Sequence, residues 1–190
     1  MSKIAVIVGS LRKDSYNKKL GLTLEKLAKG KMEFVFVDIG SIPLFNQDLE
    51  ANVPAAVTKM KGEIDAADGV LFITPEYNRS IPGVLKNAID WASRPYGHSS
   101  WAGKPTAICG TSPGAVGTAV AQTHLRSITS GFLDMPTMGQ PEMYITYKEE
   151  NFDADNNVVN EGTKKFLQGF VDKFAGWVDL HSTAAKKMAA

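Results

Sequence analysis

The chain has 190 residues, 44% of them hydrophobic, with a formal net charge of +1. That is one domain of ordinary size with enough apolar content for a full core, and no global field for nucleic acid or a membrane surface. A single cysteine, Cys109, excludes an intramolecular disulfide and a Cys-rich metal site.

The chain opens on an apolar run, Ile4-Ala-Val-Ile-Val8, which reads as a buried strand over Lys3–Val8. The run is only five residues long and ends at Gly9, so it is no signal peptide, and no segment approaches the ~20 apolar residues that span a bilayer. The expectation is a soluble, cytoplasmic protein. The loop Gly9-Ser-Leu-Arg-Lys-Asp-Ser-Tyr-Asn17 follows and leads into an amphipathic pattern over Tyr16–Lys29, with Leu20, Leu24 and Leu27 on one face. Strand, short hydroxyl-rich basic loop and helix start form a junction where a phosphate group fits, because the first helical N–H groups are unpaired and the dipole favours an anion. Ser10, Ser15 and Asn17 can add side-chain donors and Arg12 a charged fork. The competing reading is an ordinary cap at Ser15 or Asn17. The loop has one glycine and no P-loop pattern, which suits a terminal monophosphate better than a pyrophosphate. Lys13, Lys18, Lys19, Lys26, Lys29 and Lys31 read as a solvated helix face, with mild steering of an anion as the alternative.

Glu33–Asp38 reads as a more peripheral strand, and Pro54–Ala67 as a helix with Val57, Met60 and Ile64 inward. Gly69–Thr74 is a buried strand. The loop after it, Thr74-Pro-Glu-Tyr-Asn-Arg-Ser-Ile-Pro-Gly83, is stiff, and its exposed N–H groups and Tyr77 suit the edge of a planar ring. The alternative there is a rigid turn with Tyr77 over the core. The helix Gly83–Ala92 is expected to be well buried. Thr106–Gly110 is the next strand, with Cys109 as a small core residue. The loop Gly110–Gly117 is small enough for close approach of a ligand, with the following helix, Gly117–Ser130, aiming its positive end at that ligand. Val120, Leu125 and Ile128 mark that helix's apolar face. Met143–Tyr147 is the fifth strand, and Glu149–Gly162 reads as a polar surface loop. The closing helix, Thr163–Leu180, puts Phe166, Phe170 and Phe174 beside Leu167, Val171 and Val178. Residues 182–190 are expected to fray.

Strict alternation of five strands and five helices implies a single α/β domain over 1–190, a doubly wound parallel sheet with right-handed crossovers. Ligands in such sheets bind beyond the carboxyl ends of the strands. His98, His124 and His181 show no metal spacing, and neither a nucleophile elbow nor a Ser–His–acid set is present.

Gly9-Ser10-x-Arg12-x-x-Ser15-x-Asn17, together with Thr74-Pro75-Glu76-Tyr77-Asn78 and Ser80-x-Pro82-Gly83-x-Leu85-Lys86-Asn87-Ala88-Ile89-Asp90-Trp91, resembles the NAD(P)H-dependent FMN reductase family over nearly the whole chain, closest to its bacterial quinone and chromate reductases. The resemblance implies a flavodoxin-like three-layer sandwich with a five-stranded parallel sheet, binding FMN noncovalently. It implies that Ser10, Arg12, Ser15, Tyr16 and Asn17 hold the phosphate, that Pro75, Glu76, Tyr77 and Asn78 edge the isoalloxazine, and that Ser112 meets the ring from another side. NADH or NADPH is the implied co-substrate, with quinones, chromate, azo compounds or free flavin as acceptors. The flavin supplies the redox chemistry, so no catalytic acid or nucleophile is expected. Arg79 and Arg126 are candidates for contacting the acceptor or the nicotinamide nucleotide. A dimer or tetramer is implied, and the aromatic-rich segment Trp91–Trp101 is a candidate contact surface, with local packing as its alternative. Two other classes stay open. A flavodoxin-type electron carrier needs an acidic docking face, against which the net charge speaks. A non-redox nucleotide-binding module would stay colourless with added FMN.

Overall fold

The computed structural model describes the backbone of residues 1–189 and the side chains through Ser182. Five strands form one sheet: β1 (Ser2–Val8), β2 (Met32–Phe36), β3 (Gly69–Ile73), β4 (Thr106–Ser112) and β5 (Met143–Thr146). Their order is β2-β1-β3-β4-β5 and every pairing is parallel. This is the flavodoxin-like order, with its topological switch between β1 and β3. The helices are α1 (Tyr16–Leu27), α2 (Ala55–Asp65), α3 (Gly83–Ala92), α4 (Ala119–Thr129) and α5 (Glu161–Ala189).

Period-two alternation along the central strands divides the core in two. Ala5, Ile7, Val70, Phe72 and Ile108 face one side, where α2, α3 and α4 pack through Val57, Met60, Ile64, Leu85, Ile89 and Leu125. Ile4, Val6, Leu71, Ile73, Ala107 and Cys109 face the other, where α1 and α5 pack through Leu20, Leu24, Leu167, Phe170, Phe174 and Val178. β2 lies at the sheet edge, which explains why Glu33 is tolerated there. Cys109 is fully buried, and burial pushes its thiol pKa up, so it is an inert core residue.

Several expectations need correction. Phe166 is exposed, because the buried stripe of α5 runs through Leu167, Phe170, Val171, Phe174 and Val178 and leaves Phe166 beside it. Glu149–Gly162 is not a free loop. It contains a 3-10 turn at Glu149–Asn151 and an antiparallel bridge from Phe152 to Val158, and Glu161 opens α5. It is held by hydrogen bonds: Thr23 Oγ1 donates to Asn156 O at 2.8 Å and Lys26 Nζ to Asn157 Oδ1 at 2.8 Å. Gln47–Asn52, unassigned from sequence, forms another 3-10 turn. The fraying expected of 182–190 falls largely on side chains outside the described residues; the backbone of α5 continues to Ala189. Among the described residues no helix is long and apolar enough to cross a membrane, and no three His, Cys, Asp or Glu side chains gather as a metal site.

Trp91 and Trp101 are 1% and 0% exposed, so these two indoles pack locally within the chain. Trp91 Nε1 donates to Pro43 O at 2.8 Å and Trp101 Nε1 to Ile89 O at 3.0 Å. In that segment Tyr96 alone is an exposed aromatic. Asn87 joins Trp91 in holding the β2–α2 connection: its amide accepts from Phe45 N at 2.7 Å and donates to Pro43 O at 2.9 Å. The Asn87–Trp91 part of the sequence pattern is therefore scaffold.

Candidate cofactor cleft

The loops after β1, β3 and β4 meet at the carboxyl ends of their strands around a cleft of about 200 Å³. Ser10, Arg12, Ser15, Tyr16 and Asn17 line it from the first loop, Pro75, Glu76 and Tyr77 from the second, and Ser112 from the third. Thr111 and Pro113 complete it, and sequence reasoning did not single them out. Asn78, Arg79 and Arg126 are not among the lining residues.

The first loop presents donors. Ser15 is the N-cap of α1: its Oγ accepts from Lys18 N at 3.2 Å and its carbonyl from Lys19 N at 3.0 Å. The cap reading of Ser15 is thus realised, and the hydroxyl hydrogen is what it retains for a ligand. The N–H groups of Tyr16 and Asn17 precede the first intrahelical bond and stay available. The Arg12 guanidinium lies over the Tyr16 ring, 5.2 Å from its centroid, and has no ion-pair partner among the described residues. Tyr16 stacks on Tyr147 at 4.2 Å, and Tyr147 on Phe152 at 5.2 Å, so Arg12 rests on a three-ring column. Partial burial raises the Tyr147 phenol pKa.

Asn17 is placed differently from a phosphate ligand. Its Nδ2 donates to Thr111 O at 2.9 Å and its Oδ1 accepts from Thr111 N at 3.0 Å, both buried. The side chain extends the hydrogen-bonding edge of β4 and ties the first loop to the third. The two residues are 94 apart in sequence, so no local signal marks the pair.

Glu76 is also a scaffold group. Its Oε2 accepts from Val120 N at 3.0 Å and Ala121 N at 3.1 Å, capping α4, whose own N-cap residue Thr118 makes no side-chain cap bond. The positive end of α4, expected to face a ligand, is thus met by Glu76. Its other oxygen accepts from Arg79 Nη1 at 3.2 Å.

Tyr77 and Ser80 exchange backbone hydrogen bonds at 3.0 Å each, with Asn78 at φ 51° and Arg79 at φ 64° between them. That is a two-residue turn with both central residues left-handed, a conformation that suits Asn-Gly. Arg79 is therefore strained in backbone, with its guanidinium mostly exposed. Beside it, Ser80 Oγ lies 3.1 Å from His124 Nδ1. Arg126 projects elsewhere: its Nη1 donates to Met138 O at 3.0 Å, while Nε and Nη2 are buried without a partner.

The third loop is drawn in by Ser112, whose Oγ donates to Gly117 O at 2.7 Å. Gly110 is obligatory: a Cβ there would stand 2.2 Å from Thr74 O and 2.3 Å from Thr118 Oγ1. Nothing larger lets β3, β4 and α4 converge under the cleft.

Another hollow, about 310 Å³ and mostly apolar, lies between Gln47–Asn52, α2 and α3. Its cations are already engaged. Arg94 forms a two-point ion pair with Glu50 at 2.6 and 3.1 Å, and Lys61 donates to the carbonyls of Ala92, Arg94 and His98 at the end of α3. It lacks the free donors and the strand-end position of the first cleft.

The donor set fits a flavin mononucleotide: hydroxyls, helix-start amides and an unpaired guanidinium for a terminal phosphate, beside a stiff loop rich in proline. A flavodoxin-like domain with that cleft at its switch point belongs to the class of doubly wound domains that bind ligands there. The family model described as NADPH-dependent FMN reductase matches residues 2–150. The chain belongs to that family. It is 57% identical over 176 residues to a 2-hydroxy-1,4-benzoquinone reductase of Burkholderia sp, covering 93% of this chain and 96% of that one. It is 51% identical over 179 residues to a quinone reductase of Pseudomonas putida, covering 94% and 95%. Among solved structures it is similar to FerB, a flavoenzyme NAD(P)H:(acceptor) oxidoreductase from Paracoccus denitrificans, with a TM-score of 0.93 and 51% identity over 95% of this chain and 99% of that one.

Proposed function

We propose that the chain is an FMN-dependent oxidoreductase that takes reducing equivalents from NADH or NADPH and delivers them to quinone-type small molecules. The observation that carries the reading is the cleft itself: phosphate donors on α1, a stiff ring-edge loop after β3 and a small-residue loop after β4, gathered at the switch point. Close relatives named for quinone reduction support the acceptor class.

In this reading Ser10, Arg12, Ser15 and the first-turn amides of α1 hold the phosphate. Tyr16 holds Arg12 in place from below. Pro75, Glu76 and Tyr77 edge the isoalloxazine with backbone groups, Asn78 shapes the turn beside them, and Ser112 shapes the opposite rim. Asn17 and Glu76 act as positioning residues, through Thr111 and α4. Arg79, on the exposed turn beside Tyr77, meets the acceptor; Arg126 lies outside the cleft and has no part in it. The flavin supplies hydride acceptance from the nicotinamide and release of those electrons to the second substrate. Chromate, azo compounds and free flavin are further acceptors within this reading. The reading takes the working form to be a homo-oligomer of two or four copies in the cytoplasm, with exposed Tyr77, Tyr96, Val116 and Phe132 as candidate contact residues.

The test is direct. Purified protein should release FMN, not FAD, on denaturation, and should oxidise NAD(P)H with a quinone and no partner protein. Reduction only in the presence of a protein partner would instead favour the single-electron carrier. Light scattering at micromolar protein should give a multiple of the chain mass.

A further inference from the structure

A second cleft, of about 330 Å³, opens on the far side of Ser10 and Arg12, beyond the carboxyl ends of β1 and β2. Ser10 and Arg12 line both clefts, so the first loop is a wall common to the two. Its walls combine apolar surface with unpaired positive charge. Leu11, Phe36, Val37 and Ile39 provide the apolar part. Leu11 is 61% exposed, yet it leans across to the β2 side, where a Cβ on Gly40 would stand 2.9 Å from its Cδ2. The Lys18 ammonium sits over the Phe36 ring, 3.5 Å from the centroid. Partial burial lowers the Lys18 pKa, and no carboxylate lies within ion-pair distance of it among the described residues. Arg12 has no acidic partner either.

One acid faces them. Asp38 Oδ1 accepts from Gly40 N at 2.8 Å, and its bonds to Ser41 and Gly40 hold its pKa below the usual carboxylate range. It stays charged at neutral pH and can accept a hydroxyl proton, while repelling an anion set directly against it. A free phosphate would leave the apolar walls without a partner. A quinone would leave the Lys18 ammonium without one. A purine with a nearby phosphate and a sugar hydroxyl answers all three features.

We propose that this cleft seats the adenosine-phosphate end of the nicotinamide dinucleotide, with the purine against Leu11 and Ile39, a phosphate on Lys18, and a ribose hydroxyl donating to Asp38. The inference rests on the reductase reading above and extends it: the two clefts divide one co-substrate, its nicotinamide end reaching the ring-edge loop and its adenosine end lying across the first loop.

The experiment uses the full chain loaded with FMN, as wild type, Lys18→Met and Lys18→Arg. Adenosine 2′,5′-bisphosphate is titrated by calorimetry, without turnover. NADH, NADPH and reduced nicotinamide mononucleotide, which lacks the adenosine half, are compared as donors. Wild type should bind the bisphosphate. Lys18→Met should weaken it, and raise KM for NADH and NADPH, by about tenfold, the loss of one charge-assisted contact. Lys18→Arg should keep most of the affinity. Turnover with the mononucleotide and flavin content per chain should not move. No heat with wild type overturns the proposal, as does an equal effect of Lys18→Met on all three donors. Flavin loss in Lys18→Met also overturns it, by assigning Lys18 to the flavin phosphate. Wild-type protein that oxidises no nicotinamide donor refutes the reductase reading instead, and the bisphosphate titration then still decides whether the cleft takes a nucleotide.

Discussion

Glu76→Ala separates a ring-edge ligand from a scaffold group. In the wild type one carboxylate oxygen serves two amides at the start of α4, Val120 N and Ala121 N, from a side chain 10% exposed. Removing it leaves both amides without an acceptor in a part-buried setting. A bond to a charged acceptor contributes about 1.5–3 kcal/mol. The two bonds share one oxygen, and a frayed helix start can recover water, so the combined loss is about 2–4 kcal/mol. For a chain of this length each ~1 kcal/mol moves Tm by about 2–4 °C, so Tm should fall by roughly 5–15 °C. Glu76→Gln keeps an oxygen acceptor and loses the charge. Its deficit is the dipole and Arg79 contributions together, about 1 kcal/mol. Urea unfolding of flavin-free protein, followed by far-UV circular dichroism, measures both. If the two variants agree within about 0.5 kcal/mol of wild type, a limit set by ordinary surface substitutions, Glu76 does not hold α4 and the capping account is wrong.

Asn17→Ala should destabilise the flavin-free chain by about 2–4 kcal/mol, because it strands the Thr111 N–H and C=O together; a normal urea midpoint with weakened FMN binding would make Asn17 a ligand instead. Arg12→Ala should do the reverse, leaving the midpoint unchanged and reducing FMN affinity by about ten- to a hundredfold in a fluorescence titration. Arg79→Gly should raise stability by about 1 kcal/mol, since glycine relieves the left-handed backbone at φ 64° and the exposed ion pair it gives up contributes little. Asp38 has a folded-state pKa below its unfolded value, so its stabilisation is fully present above the ordinary carboxylate range and is lost as pH falls through the folded value. Asp38→Ala should therefore narrow the gap between urea midpoints at pH 7 and pH 3.

The sheet was legible because its strands announce themselves. Lys3–Val8, Gly69–Thr74 and Thr106–Gly110 read as nearly continuous apolar runs, as expected of strands buried on both faces, and the structure keeps their bounds to within two residues. Helix faces were legible where the stripe was clean, as in Val57, Met60 and Ile64. They were not where aromatics crowd one turn, as at Phe166 and Leu167. The cleft's location followed from topology, and most of its lining residues from the loops so placed. What stayed hidden was the use made of each side chain. Asn17 and Glu76 carry donors and acceptors that suit a ligand equally well. Only tertiary contacts 94 and 44 residues distant show them turned to Thr111 and Val120. Trp91 and Trp101 resembled an interface for the same reason: an amphipathic indole suits a partner surface or a core with a carbonyl in reach.

The Asn17–Thr111 pair has a dynamic consequence. It joins the start of α1 and the end of β4 as one unit before any cofactor arrives. Binding then orders little chain, so association should be fast and show a small entropic penalty. The Thr111 amide, held by Asn17 Oδ1, should exchange with deuterium only through global opening, and therefore more slowly once bound flavin stabilises the folded state. The exposed rim, Asn78, Arg79 and Pro113–Val116, lies outside that unit, so substitutions there should change the mouth of the cleft without loosening what lies beneath it.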